Sequence, residues 1–228
     1  MPIPPIAPYP MPGPDEVTAN QVSWKVDPTR TALLIHDMQQ YFMSAYDPDR
    51  DPARTLIANI GRLRNRCHQL RIPVIYTMQP GNQHPSRRGI LADFWGSGMS
   101  HGPDTEVVAE LRPDAQDIQV TKWRYSAFQR TDLRELLGYY RRDHLIVTGV
   151  YTHMGCMLSA AEAFMSDVRP FLALDATADF SRDEHLMALN YTARRCGAVL
   201  STTDLLDRLG ADPAANGTGF TAADAGHL

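Results

Sequence analysis

Short apolar runs alternate along the chain with longer stretches in which apolar positions recur every three or four residues. The runs are TALLIHD (31–37), PVIYTMQ (73–79), DIQVTK (117–122), HLIVTGV (144–150), PFLALDATADF (170–180) and AVLST (198–202). Among them lie TLIANIGRLRNRCHQL (55–70), EVVAELRP (106–113), DLRELLGYYRR (132–142), a helix beginning near 155, RDEHLMALNYTARRC (182–196) and a closing TDLLDRLG. Strand runs rich in Leu, Ile and Val, interleaved with helices of about 10–15 residues, predict a parallel sheet covered on both faces. Right-handed crossovers then give a doubly wound α/β fold of three layers.

Within 55–70, Leu56, Ile57, Ile60, Leu63 and Cys67 fall on one helical face, which places Cys67 in the core. The helix after Ser181 opens with Ser181-Arg182-Asp183-Glu184, a capping box, and the same spacing argument puts Leu186, Met187, Tyr191 and Arg194 along one side of it. The two ends of the chain depart from this pattern. Residues 1–14 are dense in proline and predict an extended arm, laid along a neighbouring subunit or solvated. Residues 210–228 are small, polar and aperiodic and predict a disordered tail, leaving one folded domain over 15–209.

Composition narrows the partners. The 228 residues carry 22 basic and 26 acidic side chains, a formal charge of −4, with the two signs interspersed. There is no basic stripe for a phosphate backbone and no polybasic anchor, so neither nucleic acid nor a membrane is expected as a partner. Cys67, Cys156 and Cys196 are odd in number, far apart and without CxxC spacing, which argues against a disulfide framework or a zinc site and for a reducing cytoplasm. The chain start lacks the features of a signal peptide, and no apolar run approaches about 18 residues.

In open parallel sheets, ligands sit beyond the carboxyl ends of the strands. Four predicted strand ends carry unusual residues there: Asp37, followed by Tyr41-Phe42; Gln79; Lys122; and the glycine-bounded turn TGVYTHMGCM (148–157). Singly, a strand-end Asp reads as a cap or turn former and a strand-end Lys as a solvated charge. Brought to one rim, they read as an acid and a base beside helix-start amides. The loop 80–103 is rich in Gly and Pro and holds Arg87, Arg88, Phe94 and Trp95. That composition suits a lid carrying a cation and an aromatic wall to an anionic ligand, or a surface excursion anchored by Trp95. Cys156 is the conspicuous candidate nucleophile.

The stretches LLIHDMQQYF, TKWRYSAFQRTDL, GVYTHMGCM and DATADFSRDEHLMAL, in this order, resemble isochorismatases over about residues 3–206. Those relatives include the isochorismatase domain of siderophore-forming proteins and the phenazine-pathway hydrolase of 2-amino-2-deoxyisochorismate. The wider superfamily holds cysteine hydrolases, such as nicotinamidases, with an Asp, Lys and Cys triad and the cysteine in a G-V-x-T-x-x-C turn. Laid on Gly149-Val150-Tyr151-Thr152-His153-Met154, that pattern puts Gly155 in the nucleophile's place, leaving room where a thiol would stand. Cys156 is one residue late, about 100° round a helix and toward the core. The nicotinamidase metal motif Asp-x-His falls on Thr77-Met78-Gln79, so no metal and no cofactor are expected.

The resemblance implies hydrolysis of the enolpyruvyl vinyl ether of isochorismate or its 2-amino-2-deoxy analogue, releasing pyruvate and a dihydrodiol or trans-2,3-dihydro-3-hydroxyanthranilate. Asp37 matches the general acid that protonates the methylene carbon, its pKa raised by an apolar strand. Lys122 matches the family lysine. Gln79, Arg88, Trp95, Tyr151 and Gly155 are implied around the substrate, with Arg88 pairing one carboxylate and amides near Gly155 receiving another. Tyr125 and Phe42 read as pocket walls or as core. The partners implied are a small anionic chorismate-derived substrate and a second copy of the chain in a homodimer. No carrier domain follows residue 210, which leans toward the amino substrate. Two other classes compete: a thiol-dependent amidase and a non-catalytic docking partner in a biosynthetic pathway.

Overall fold

Each of the six apolar runs forms a strand: β1 (Thr31–His36), β2 (Val74–Met78), β3 (Ile118–Thr121), β4 (His144–Val150), β5 (Arg169–Ala178) and β6 (Ala198–Leu200). They pair in parallel in the order β3-β2-β1-β4-β5-β6. The computed structural model describes residues 3–210, so the tail expected over 210–228 lies, beyond Gly210, outside the described residues. The helices are α1 (Gln40–Met43), α2 (Ala53–Gln69), α3 (Pro85–Arg88), α4 (Leu91–Trp95), α5 (Leu133–Tyr139), α6 (Met157–Phe164), α7 (Arg182–Arg195) and α8 (Thr202–Gly210).

Because side chains alternate across a strand, β1 feeds two separate cores. Leu33 and Ile35 face Leu56, Ile60, Leu63 and Cys67 of α2, with Leu205 and Leu209 of α8 in the same cluster. Ala32 and Leu34 belong to the opposite cluster with Leu133 and Leu137 of α5, Ala163 of α6 and Leu189 of α7. All six residues of β1 and all seven of β4 are buried, as central strands covered on both faces must be. The result is the three-layer doubly wound fold.

On α7 Ser181 forms the N-cap, its Oγ accepting the Glu184 amide at 3.2 Å and donating to Glu184 Oε2 at 2.7 Å, which takes the place of the reciprocal backbone bond of a full capping box. The buried face, however, is His185, Ala188, Leu189, Thr192 and Ala193, while Met187 and Tyr191 are half exposed. Spacing alone grouped large side chains on one stripe; the helix is rotated so that another stripe, headed by His185 and Leu189, turns inward. The proline-rich arm is extended and lies on its own domain. Ile6 and Tyr9 are buried, their amides donate to the carbonyls of Ala45 and Asp51, and the Tyr9 hydroxyl bonds the Asp179 backbone.

The chain runs outward from β1 through β2 to β3 on one side and from β4 through β5 to β6 on the other. The order therefore reverses between β1 and β4, and the crevice beyond their carboxyl ends is the topological switch point. Backbone approach is closest there. Gly149 has φ +105°, and a β-carbon on it would stand 2.1 Å from the His36 carbonyl oxygen, so only glycine fits. Among the described residues no helix is long and apolar enough to cross a membrane.

Candidate active site

Asp37 follows the last residue of β1 with φ +52°, a left-handed conformation that Asp tolerates better than most residues and that turns its carboxylate into the switch-point crevice. Three side chains donate to it: Lys122 Nζ to Oδ2 at 2.6 Å, Gln79 Nε2 to Oδ2 at 3.0 Å, and Thr77 Oγ1 to Oδ1 at 2.9 Å. These donors come from the ends of β2, which pairs with β1, and of β3, the next strand out in the sheet. Lys122 is 1% exposed, so it is a buried ion-pair partner and not a solvated charge.

Burial by itself would raise the Asp37 pKa. The Lys122 ammonium, with the hydrogen bonds from Lys122 and Gln79, outweighs burial and holds the carboxyl below its ordinary range. This corrects the expectation of a raised pKa: burial is the largest single effect on Asp37, but the charge and donors that converge on the carboxylate together exceed it.

Gln79 also accepts from Arg88 Nη1 at 3.5 Å, while Arg88 Nε donates to the Gly96 carbonyl at 3.0 Å. Arg88 is buried, and among the described residues no carboxylate lies within 4 Å of it. Its charge faces the pocket uncompensated, which suits an anionic ligand. Trp95 Nε1 donates to the Tyr125 hydroxyl at 2.6 Å, and the Trp95 ring stacks on Phe180, which stacks on Tyr151 at 4.1 Å between centroids. The Tyr151 hydroxyl donates to the Phe42 carbonyl at 3.0 Å, so Tyr151 presents its ring, not its hydroxyl, to the cavity.

Asp37, Phe42, Gln79, Arg88, Trp95, Lys122, Tyr125, Tyr151 and Gly155 all line one pocket. The 80–103 loop folds over it as α3 and α4, which deliver Arg88 and Trp95. Several other residues of the site were not expected from sequence. Phe180 lies in the DATADFS stretch but has no periodicity to mark it. Arg124 ties α3 to the β3 end by donating to the carbonyls of Arg87 and Trp123. Buried Gln39 pairs both ways with the Gln79 backbone, at 2.8 and 2.9 Å, and donates to the Thr105 carbonyl. Ile3 of the arm also reaches the pocket wall. Only a doubled Gln after Asp-Met could have drawn attention to Gln39.

The turn after β4 departs from two expectations. Residues Thr152–Cys156 form a π-helical turn before α6 begins at Met157, so no regular helix starts at 155. The His153 amide is taken by Asp179, and those of Met154 and Cys156 by the Tyr151 carbonyl. Three of the amides read as a carboxylate cradle are thus already engaged. Nor is there vacant room at Gly155: the His36 imidazole fills the space a side chain there would need.

Cys156 is fully buried, its Sγ 3.8 Å from the Thr148 carbonyl, and burial pushes its thiol well above the ordinary value. A protonated thiol inside the core is a poor nucleophile. We expect iodoacetamide to leave turnover unchanged and Cys156→Ala to keep it within about tenfold; a loss beyond the ~100-fold typical of a missing catalytic group would restore the thiol.

Among the described residues, two groups of side chains bring ligand-type atoms within 4.8 Å of one another, His68-Asp114-Asp117 and His153-Asp179-Glu184. Both are internally paired, His68 to Asp117 at 2.7 Å and His153 to Asp179 at 2.6 Å, and neither includes a residue that contacts Asp37. At the position of the nicotinamidase metal motif, Thr77 and Gln79 spend their donors on Asp37.

A family model, the isochorismatase domain, matches residues 31–204. The isochorismatase of Bacillus subtilis is 50% identical over 215 residues, 94% of this chain and 69% of that protein. A phenazine biosynthesis protein of Pseudomonas aeruginosa is 44% identical over 207 residues, 90% of this chain and 99% of that protein. Among solved structures, a cysteine hydrolase from Pseudomonas syringae pv. phaseolicola superposes with a TM-score of 0.76 at 25% identity, covering 83% of this chain and 96% of that one. The domain match, the two relatives and the shared sheet architecture all lead to one statement: the chain is a hydrolase of the isochorismatase family.

Proposed function

We propose that the chain hydrolyses the enolpyruvyl vinyl ether of isochorismate or 2-amino-2-deoxyisochorismate, with Asp37 as general acid. The observation that carries this reading is a buried carboxylate facing a pocket whose one nearby thiol is sealed in the core. A vinyl ether needs no nucleophilic side chain. Asp37 delivers a proton to the terminal methylene carbon, the C=C electron pair forms the new C–H bond, and positive charge develops on the ether-bearing carbon and its oxygen. Water adds to that carbon. The resulting hemiketal loses its ring alkoxy group, which takes up a proton, and pyruvate is released. Asp37 recovers its proton from the attacking water.

Lys122 and Arg88 meet the two substrate carboxylates, and Trp95, Phe180 and Tyr151 enclose the apolar ring. The dianion explains how a carboxyl held low in the free protein becomes an acid. Substrate carboxylates draw on the Lys122 charge and add like charge beside Asp37, and both effects raise its pKa. The rate then has a pH signature. Free Asp37 holds its proton only below the ordinary carboxylate range, so kcat/KM falls with rising pH from acidic values upward. In the complex the proton is retained longer, so kcat falls at a distinctly higher pH. Coincident pH limbs for kcat and kcat/KM would contradict this account.

A coupled assay that reduces pyruvate with lactate dehydrogenase tests the reading. Pyruvate from either substrate supports it; no pyruvate from either, with folded protein, overturns it in favour of a docking role. Comparing turnover of the two substrates assigns the ring substituent.

A further inference from the structure

His36 is the residue of β1 directly before Asp37, and its imidazole is 1% exposed. Its Nδ1 lies 2.8 Å from the Val150 carbonyl at the end of β4, and its Nε2 lies 3.2 Å from the Tyr125 carbonyl in the loop after β3. One ring thus links the end of β1 to the end of β4 and to the loop after β3, which build the pocket. A β-carbon at position 155 would stand 1.9 Å from His36 Cε1, and 2.6 and 2.7 Å from Nε2 and Nδ1. Distances that short exclude any side chain at 155 while the ring stays where it is. The ring cannot swing aside: the neutral imidazole donates its one N–H, from Nδ1 to the Val150 carbonyl at 2.8 Å, its Nε2 edge abuts the Tyr125 backbone, and the His36 backbone is paired with Gly149 in the sheet.

We propose that His36 is the positioning residue of this site and forms one interlocked pair with Gly155. The imidazole stands in for the side chain that Gly155 lacks. It seats the Val150 carbonyl, from which the turn bearing Tyr151 departs, and packs against the Tyr125 backbone, beneath the ring that meets Trp95. It also packs behind Asp37, whose Oδ1 is 3.8 Å from Nδ1. The pair decides reaction class. With histidine at 36, position 155 has no room for a thiol, and with glycine at 155 the imidazole has no competitor for its seat. Burial pushes the His36 pKa down to about 4, so the ring is neutral and brings no second cation to Asp37 near neutrality.

The experiment is a double-substitution cycle on the full chain, read by thermal melting and by kcat and KM. Gly155→Ala alone is expected to lower the melting temperature and cut kcat/KM at least ~100-fold, because its methyl group collides with a ring that cannot yield. His36→Ala/Gly155→Ala should melt higher than Gly155→Ala and recover at least tenfold in kcat/KM, since the methyl then enters vacated space. If Gly155→Ala is insoluble, a soluble, cooperatively melting double variant supports the interlock equally well. A double variant no better than Gly155→Ala, or a Gly155→Ala protein indistinguishable from wild type, overturns the interlock.

His36→Ala should lower kcat at least tenfold with a smaller change in KM. His36→Asn, whose amide keeps a donor where Nδ1 stood, should recover most of that loss; equal activity of the two would reduce His36 to filler. Finally, His36→Val/Gly155→Cys should react with iodoacetamide while the wild-type chain does not, and failure to label in a folded variant would show that the seat does not open to the pocket. The kinetic arms rest on the function proposed above. Melting and labelling do not, so a wild-type chain that releases no pyruvate would sink that function and leave the interlock to be judged on its own.

Discussion

Asp37→Asn is expected to release pyruvate ~10²–10⁴-fold more slowly than the wild-type chain, the range set by loss of a general acid. Asparagine is the informative replacement. It keeps the shape of the carboxylate and tolerates the left-handed backbone at 37, so the turn leaving β1 survives. Its amide can still accept from Lys122, but it cannot hand a proton to carbon. Alanine would confound the result by leaving Lys122, 1% exposed, without its partner. The measurement is single-turnover pyruvate release with substrate in excess of KM, beside a melting curve showing a folded variant. An Asp37→Asn protein within tenfold of wild type would end the general-acid assignment.

Lys122→Met should act on stability and on activity with opposite pH dependence from wild type. Removing one partner of a buried ion pair costs about 3–5 kcal/mol, because the other charge stays behind. For a domain of this size that is roughly 6–20 °C in melting temperature near neutrality. In the wild-type chain Asp37 is held below its unfolded pKa, so its contribution is present above that pKa and fades as pH falls through the folded one. In Lys122→Met, burial is left to dominate and the folded pKa lies above the unfolded value. Stability is then greatest below the unfolded pKa and is lost as pH rises through the folded one. The gap in melting temperature between the two proteins should therefore narrow on acidification. KM for the dianionic substrate should rise by about 10–100-fold, the value of one charge-assisted hydrogen bond. A gap that widens toward acid would mean that Lys122 does not govern the Asp37 charge.

Much of the site could be read in advance because doubly wound sheets bring strand ends together. Once TALLIHD, PVIYTMQ and DIQVTK were recognised as neighbouring parallel strands, Asp37, Gln79 and Lys122 had to share a rim, and in the structure Gln79 and Lys122 both donate to Asp37. Gln39, Phe180, Arg124 and Ile3 were not legible, since each acts through backbone carbonyls, ring stacking or an arm whose course no local pattern records. The outward face of α7 was misjudged for a related reason. Met187 and Tyr191 are large and apolar, but the helix presents them to solvent and turns His185, Ala188, Leu189, Thr192 and Ala193 inward, an orientation set by packing and not by local spacing.

Local sequence by itself determined the six strands in chain order, the parallel sheet and the residue types at the switch point, because hydrophobic period and turn chemistry are properties of neighbouring residues; it did not fix every helix, since EVVAELRP, read at helical spacing, forms only a 3-10 turn over Ala109–Leu111. The charge state of Asp37, the burial of Lys122 and the filling of position 155 by His36 were decided by tertiary structure alone. Gln79 and Lys122 reach Asp37 from 42 and 85 positions away in the chain, and His36 meets Gly155 from farther still. A pKa or a steric exclusion is set by what lies within a few ångströms in space, whatever the separation along the chain.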